Sequence, residues 1–451
     1  MQGIAELSNL KKLKMGCLIL RRRSIFRNWI CGGQPSVRRI SSSSSEHAAA
    51  AAPWLLIKDC FHKMFYNFYN LGDDKVERLS KKGKDGTLVG SSHGWLALYM
   101  WRHKYDKWNY SFDVILYNPV SRLSVNLPPV DTLPFYSSEY NRPRKVILSC
   151  SPDKGDDSCR AIMSFGPEHR LAVCCLGRHS NEWTPIGDLF HQNEPINDKS
   201  GFTKIPRVYE DFVFSKKKNL LFCATKYDNF ECWDLRGASP TLIWKKGNDE
   251  MEYNEDNYPW SARSPEEHAM KRDTCCSFKY LVFAEKSDRL FLVRRIVMER
   301  IRPKDPHRTY WRYKPGNDPY LTYGFEVHEL IVDEKKREKG EMKYMNGTLD
   351  GMAFFIGSTG HGFVIEEEND DRIPINKKKN VNPDSIYFTD TKELTLHQIN
   401  EAEDELYGSG GHDIGIFDYE KKTFSPCYYP PDIRRISRID PAPTWFNPSQ
   451  P

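Results

Sequence analysis

Short apolar runs separated by polar turns recur along this chain, and one nine-residue frame appears four times. Ile115-Leu-Tyr-Asn-Pro-Val-Ser-Arg-Leu123, Met163-Ser-Phe-Gly-Pro-Glu-His-Arg-Leu171, Phe212-Val-Phe-Ser-Lys-Lys-Lys-Asn-Leu220 and Val282-Phe-Ala-Glu-Lys-Ser-Asp-Arg-Leu290 each place an apolar strand, a polar turn and the start of a second strand in register. Apolar runs this short, bounded by Gly, Pro, Asn and Asp, read as β-hairpins. The closing leucines stand 48, 49 and 70 residues apart, and a repeat of about 40 to 50 residues with several short strands is the period of a propeller blade. The pattern predicts an all-β chain forming a single β-propeller of six or seven mostly four-stranded blades with long loop insertions.

The clearest unit covers residues 86–129, with turns at His93-Gly94 and Asn118-Pro119. Pro128-Pro129 stops its last strand because proline lacks the ladder N–H. Further four-stranded units are predicted over 145–186 and 209–246. Residues 247–274 are acidic, Pro-bearing and aperiodic, and an insertion there accounts for the long leucine spacing. A unit resumes at Tyr280, breaks over 304–319, and is followed by weaker strand signals at Tyr323, Met342, Met352, Phe363, Ser385 and Gly415. The hairpin frame does not say which strand pair of a blade it occupies, so the phase of the repeat stays open.

Composition changes the picture at the N-terminus. The 451 residues carry a net charge of +5, yet residues 1–52 alone hold nine Lys/Arg against Glu6 and Glu46. The remainder is almost balanced, which removes any general argument for binding a phosphate backbone. Residues 1–52 are Arg- and Ser-rich, include the apolar and basic stretch Cys17-Leu-Ile-Leu-Arg-Arg-Arg-Ser-Ile-Phe-Arg, and run into serine and alanine tracts. That composition predicts a disordered organellar transit peptide and linker, with the folded domain spanning 53–451. Mitochondrion is the expected destination and chloroplast the alternative; a basic tail retained in the cytosol or nucleus is the remaining reading. No apolar run approaches the roughly 20 residues of a membrane span. Twelve cysteines without a Cys-x-x-Cys spacing point to free thiols and not to a zinc ribbon.

Candidate chemistry is sparse. His412 and Asp413, after Gly410-Gly411, could suggest a catalytic pair, but neighbouring residues on a strand face opposite ways, so a glycine-rich turn is the better reading. His93 reads as a turn residue. Ser151-Pro-Asp153-Lys-Gly155 begins like the Asp-box of sialidase-type propellers but has Ser158 where the aromatic belongs. Asp113, Asp211, Glu231 and Asp234 fall within strand units, where hydrogen bonding at blade turns accounts for them. No P-loop, nucleophile elbow or His-Glu-x-x-His occurs. No catalytic set, metal set or cofactor is therefore predicted, and the chain reads as a monomeric, non-catalytic platform for a protein partner of unknown identity. Trp101, Trp108, Tyr110, Trp260 and Trp311, in loops and insertions, form the candidate partner-binding surface, because aromatics supply large contact area at small entropic cost.

Taken together, Val89-Gly-Ser-Ser-His-Gly-Trp-Leu-Ala-Leu98, Leu116-Tyr-Asn-Pro-Val-Ser-Arg-Leu123, Tyr209-Glu-Asp-Phe-Val-Phe214, Cys232-Trp-Asp-Leu235, Ser385-Ile-Tyr-Phe-Thr-Asp390 and Gly410-Gly-His-Asp-Ile-Gly-Ile-Phe-Asp418 resemble the plant DUF295 family, whose shared region is a KIB-type β-propeller. The resemblance extends over nearly all of 53–448. It implies a propeller, and for many relatives an N-terminal F-box that makes the protein a substrate-recognition subunit of a ubiquitin ligase. Residues 1–85 contain no F-box-like Leu-Pro-x-[Asp/Glu] opening, so this chain is similar to the organellar branch lacking that module. Ligase recognition remains the alternative function, and an enzyme using the central channel a further one.

Overall fold

Strand pairing joins the first and last strands among the described residues. In a computed structural model, β1 (Trp54–Ile57), β2 (Phe65–Asn70) and β3 (Lys75–Ser80) form a sheet completed by β25 (Thr444–Phe446), in the order β25-β1-β2-β3. The model describes residues 52–57, 65–80, 86–103, 110–133, 142–152, 159–166, 169–177, 182–187, 208–225, 229–237, 239–246, 275–298, 321–331, 341–357, 360–366, 381–390, 413–428 and 443–448; side chains at 80, 101–103, 110, 111, 275 and 276 are outside the description.

The second sheet is β4 (Thr87–Ser92), β5 (Trp95–His103), β6 (Tyr110–Tyr117) and β7 (Ser124–Asn126) in sequential order. The third contains β8 (Pro143–Leu148), β9 (Arg160–Phe165), β10 (Arg170–Cys175) and β11 (Thr184–Ile186), and the fourth β12 (Tyr209–Ser215), β13 (Leu220–Thr225), β14 (Phe230–Asp234) and β15 (Thr241–Lys246). The last is nine-stranded. Its first half is β16 (Cys275–Ala284), β17 (Arg289–Met298), β18 (Leu321–Ile331) and β19 (Glu341–Tyr344); its second is β20 (Ala353–Ile356), β21 (Phe363–Ile365), β22 (Ser385–Phe388), β23 (Gly415–Asp418) and β24 (Thr423–Ser425). A single parallel pair, Phe283 with Phe363, joins the halves.

Turn chemistry explains the sharp corners. His93 and Gly94 both have positive φ (50° and 79°) between the paired residues Ser92 and Trp95, the two-residue geometry whose twist matches the flanking strands. Asn118 Oδ1 accepts the N–H groups of Val120 and Ser121 at 2.9 and 3.0 Å, closing the β6–β7 turn. All four recurrent frames form hairpins, but in different places: β6–β7, β9–β10, β12–β13 and β16–β17. The frame is thus third and fourth in one sheet, second and third in the next, and first and second in the two after that.

The apolar core is divided among the sheet interfaces. Trp54, Phe68 and Phe446 of the first sheet pack with Leu96 of the second. Trp95 and Phe112 of the second pack with Val146 and Phe165 of the third, and Ile147 and Leu171 of the third with Phe212 and Trp233 of the fourth. Phe222 and Trp244 meet Leu281 and Leu292; Phe291 and Val327 meet Phe354 and Phe417; Phe355 and Tyr387 return to Leu55 and Trp445 of the first sheet. The interfaces therefore form a closed ring. No predicted unit covers this first sheet, whose fourth strand comes from residues 444–446.

Candidate functional site

The first strands of successive sheets approach one another, β4 against β8, β8 against β12 and β12 against β16, and β16 meets β21 within the nine-stranded sheet. At β4 the approach is so close that a Cβ on Gly90 would overlap the Val146 carbonyl oxygen, so only glycine fits there. A belt of polar groups links these strands. Lys145 Nζ of β8 lies 2.5 Å from Asp211 Oδ1 of β12, and Asp211 Oδ2 accepts the Leu281 N–H of β16 at 2.8 Å. Both charged side chains are more than nine-tenths buried. One residue earlier on β12, Glu210 pairs with Lys279 Nζ at 3.0 Å.

A second element enters the ring between β20 and β21. Gly360 bridges Ser91 of β4 in parallel and lies against Thr444 of β25. His361 donates its backbone N–H to the Ser91 carbonyl at 3.0 Å, and its Nδ1 stands 3.4 Å from Ser92 Oγ. Its ring is 5.9 Å from that of His93. Burial, followed by the nearby His93 and Lys145, holds the His361 imidazole well below its usual pKa of 6.5. The neutral ring is thus the native form.

This has a consequence for stability. The unfolded chain takes up a proton near pH 6.5 that the folded His361 refuses, so the contribution is complete above that pH and is lost as pH falls below it. Urea midpoints measured from pH 8 to 5 are expected to decline, with H361Q reducing the slope by up to about 1.4 kcal/mol per pH unit. Equal slopes for both proteins would contradict the assignment.

Arg295 of β17 forms the third polar cluster, entirely buried between the two halves of the nine-stranded sheet. Its Nε donates to Thr322 Oγ1 at 2.7 Å, one terminal nitrogen donates to the Thr389 carbonyl, and the other reaches the Asp413 carbonyl and Oδ2 at 2.8 and 2.9 Å. The guanidinium carbon sits 4.6 Å from the centroid of Phe388. Burial works against the charge, but Asp413, Tyr280 and Asp390 outweigh it and raise the guanidinium pKa.

The family comparison gives this arrangement its context. The model described as the KIB1-4 beta-propeller matches residues 68–418, most of the 451-residue chain. The chain belongs to that family. No curated protein matches it. Solved structures similar to this KIB-type propeller include the Nup133 β-propeller domain of Vanderwaltozyma polyspora, at 9% identity over 74% of this chain and 72% of that one, TM-score 0.31. The Cps50 (Swd1) β-propeller domain of Myceliophteria thermophila is also 9% identical, over 63% and 80% of the two chains, TM-score 0.28. A Bacteroides thetaiotaomicron protein of unknown function is 10% identical over 71% and 74%, TM-score 0.27.

The expected surface residues fare unevenly. Trp101 and Tyr110 lie on the paired ends of β5 and β6, with side chains outside the description. Trp108, Trp260 and Trp311 lie outside the described residues, as do Gly410, Gly411 and His412. Asp413 serves as the counter-charge of Arg295. Asp234 does close a turn, accepting the Arg236 N–H at 2.9 Å. Glu231 instead accepts the Tyr209 hydroxyl and the Trp233 indole N–H within its sheet, and Asp211 bridges sheets; both depart from the turn role expected for them. Nothing in the sequence marks Lys145, Arg295 or His361, because a lone basic residue in a strand or loop carries no sign of its partner. Among the described residues, no three His, Cys, Asp or Glu side chains are grouped as a metal would require.

Proposed function

We propose that this protein is a non-catalytic, organelle-directed propeller of six blades that serves as a platform for a protein partner, with the nine-stranded sheet counting as two blades. The charges Lys145, Asp211, Glu210 and Lys279 on β8, β12 and β16 are engaged with one another across sheets, which supports a structural use for them. The observation carrying the binding role lies at the outer rim. Leu242 and Ile243 on the edge strand β15 are 40% and 44% exposed, and a bulge opposite Cys232 and Trp233 turns two consecutive apolar residues outward. Ile331 and Tyr344, on the adjoining half of the nine-stranded sheet, are similarly exposed. Among the described residues β15 is the outermost strand of its sheet, and an outer strand bearing apolar side chains is suited to an extended segment of a partner protein, which adds as a further strand.

The basic, Ser-rich composition of residues 1–52 supports mitochondrial delivery, with the plastid as the alternative. A fluorescent fusion of the full chain is expected to enter the organelle and one lacking 1–52 to remain outside; cytosolic fluorescence from both would reject delivery. Affinity capture from isolated organelles is expected to recover a protein that an L242E/I243K variant loses at least tenfold. Equal recovery by the variant would reject the β15 edge, and recovery of ubiquitin-ligase adaptors would favour ligase recognition instead.

A further inference from the structure

Seven described cysteines are in no disulfide, and two of them lie where the β8–β9 ladder ends. The β8–β9 register pairs Leu148 with Ala161. It continues one step further, with the Ser149 N–H donating to the Arg160 carbonyl at 2.9 Å and the Arg160 N–H to Ser149 Oγ at 2.8 Å. The next opposed residues are Cys150 and Cys159. Cys159 Sγ donates to the Cys150 carbonyl oxygen at 3.2 Å. Residues opposite one another in antiparallel strands alternate between wide hydrogen-bonded and close non-bonded pairs. Carried one step past Ser149 and Arg160, which share one backbone bond, that alternation would put Cys150 and Cys159 at the close position, whose Cα separation of about 4.5 Å is within disulfide range.

We infer that Cys150 and Cys159 form a reversible dithiol–disulfide site, oxidised by a disulfide of the glutathione type. The Cys150 thiolate attacks oxidised glutathione and expels one glutathione thiolate. Cys159, on losing its proton, then displaces the second glutathione from Cys150. Two protein thiols and one oxidised glutathione thereby become one protein disulfide and two reduced glutathione molecules. Cys150, 8% exposed against 1% for Cys159, is the entry point. The side-chain hydrogen bond with the Cys150 thiol and then burial raise the Cys159 thiol pKa far above its usual value, which leaves the first attack to Cys150.

Neighbouring cysteines lack this geometry. Cys174 and Cys175 are adjacent on one strand, while Cys223 and Cys232 belong to apolar clusters on opposite faces of their sheet. The site's position gives it a structural reach. Ser151, next to Cys150, accepts the Trp95 indole N–H at 3.2 Å, and Ser92 Oγ accepts the Leu148 N–H at 3.2 Å. Oxidation would thus tie the end of β8 beside the turn that carries His93 and contacts His361.

The test uses the full folded chain treated with oxidised glutathione, quenched with an alkylating agent and digested without reductant. Trypsin cuts after Lys145, Lys154 and Arg160, so the expected product is peptide 146–154 joined to peptide 155–160. Reductant should separate them. C159S should abolish the linked species and leave a glutathione adduct on Cys150; because this variant keeps a similar volume, an unchanged circular dichroism spectrum will certify its fold. Complete alkylation of both cysteines after oxidant treatment, or linkage of either one to a different cysteine, would overturn the proposal.

Discussion

Deleting residues 443–451 will prevent the ring from closing and abolish a single cooperative unfolding transition. The loss removes β25, whose Thr444, Trp445 and Phe446 pair with Leu56, Leu55 and Trp54. It also removes two of the largest side chains at the seam. Phe446 packs 4.9 Å from Phe68, and Trp445 stands edge-on to Phe355 at 5.1 Å. One strand therefore fastens the first sheet to the last. Its pairing spans almost the whole chain, so little local structure can substitute for it. The point variant W445A isolates the packing component, at about 3–5 kcal/mol in urea unfolding. A deletion variant that melts as sharply as the intact protein, within a few degrees of it, would show that the seam is dispensable.

Replacing Arg295 with methionine is expected to cost about 3–5 kcal/mol, because Asp413 would remain buried with its principal counter-charge gone. Thr322 would still donate to Asp413 Oδ2 at 2.8 Å, one neutral hydrogen bond against a full charge. The double variant R295M/D413L should recover more than half of that loss, since apolar pairs of suitable volume can replace a buried ion pair. Equilibrium unfolding of both single variants and the double variant gives the coupling directly. An R295M protein within about 1 kcal/mol of the parent would remove the cluster from the set of elements that stabilise the fold.

The two effects arise where separate parts of the chain meet, and there the sequence was least legible. The hairpins were readable because their information is local. His93-Gly94 supplies left-handed conformations at a two-residue turn, and Asn118 carries its own acceptor for the next turn. Strands β8–β15 follow the predicted apolar runs closely for the same reason. No predicted unit covers residues 54–80, although Phe65-Tyr-Asn-Phe-Tyr-Asn70 is rich in strand-forming aromatics. They supply only three strands of their sheet, and a short run at 444–446 gives no sign of where it will pair.

The polar belt was hidden in another way. Asp211 and Glu231 were visible as acids within strands, but Lys145 lies 66 residues from Asp211 and Arg295 lies 118 from Asp413. Charge alone does not report a partner at such separations; burial does, since an unpaired ion there would be too costly to keep. His361 is similar. In the sequence it stands among glycines in a segment resembling an ordinary turn, whereas the fold buries it against Ser92 and His93.

By itself, the sequence determined the all-β class, the hairpin turns, the propeller-like period and the contrast between a basic first 52 residues and a balanced body. These depend on side-chain alternation and on turn residues, which act over a few positions. Tertiary structure alone decided that the C-terminal strand completes the first sheet, that Lys145 and Asp211 stitch neighbouring sheets while Arg295 ties the halves of the nine-stranded one, and that the Cys159 thiol reaches the Cys150 carbonyl. Each of those depends on register and proximity between separated segments, quantities that exist only once the chain has folded.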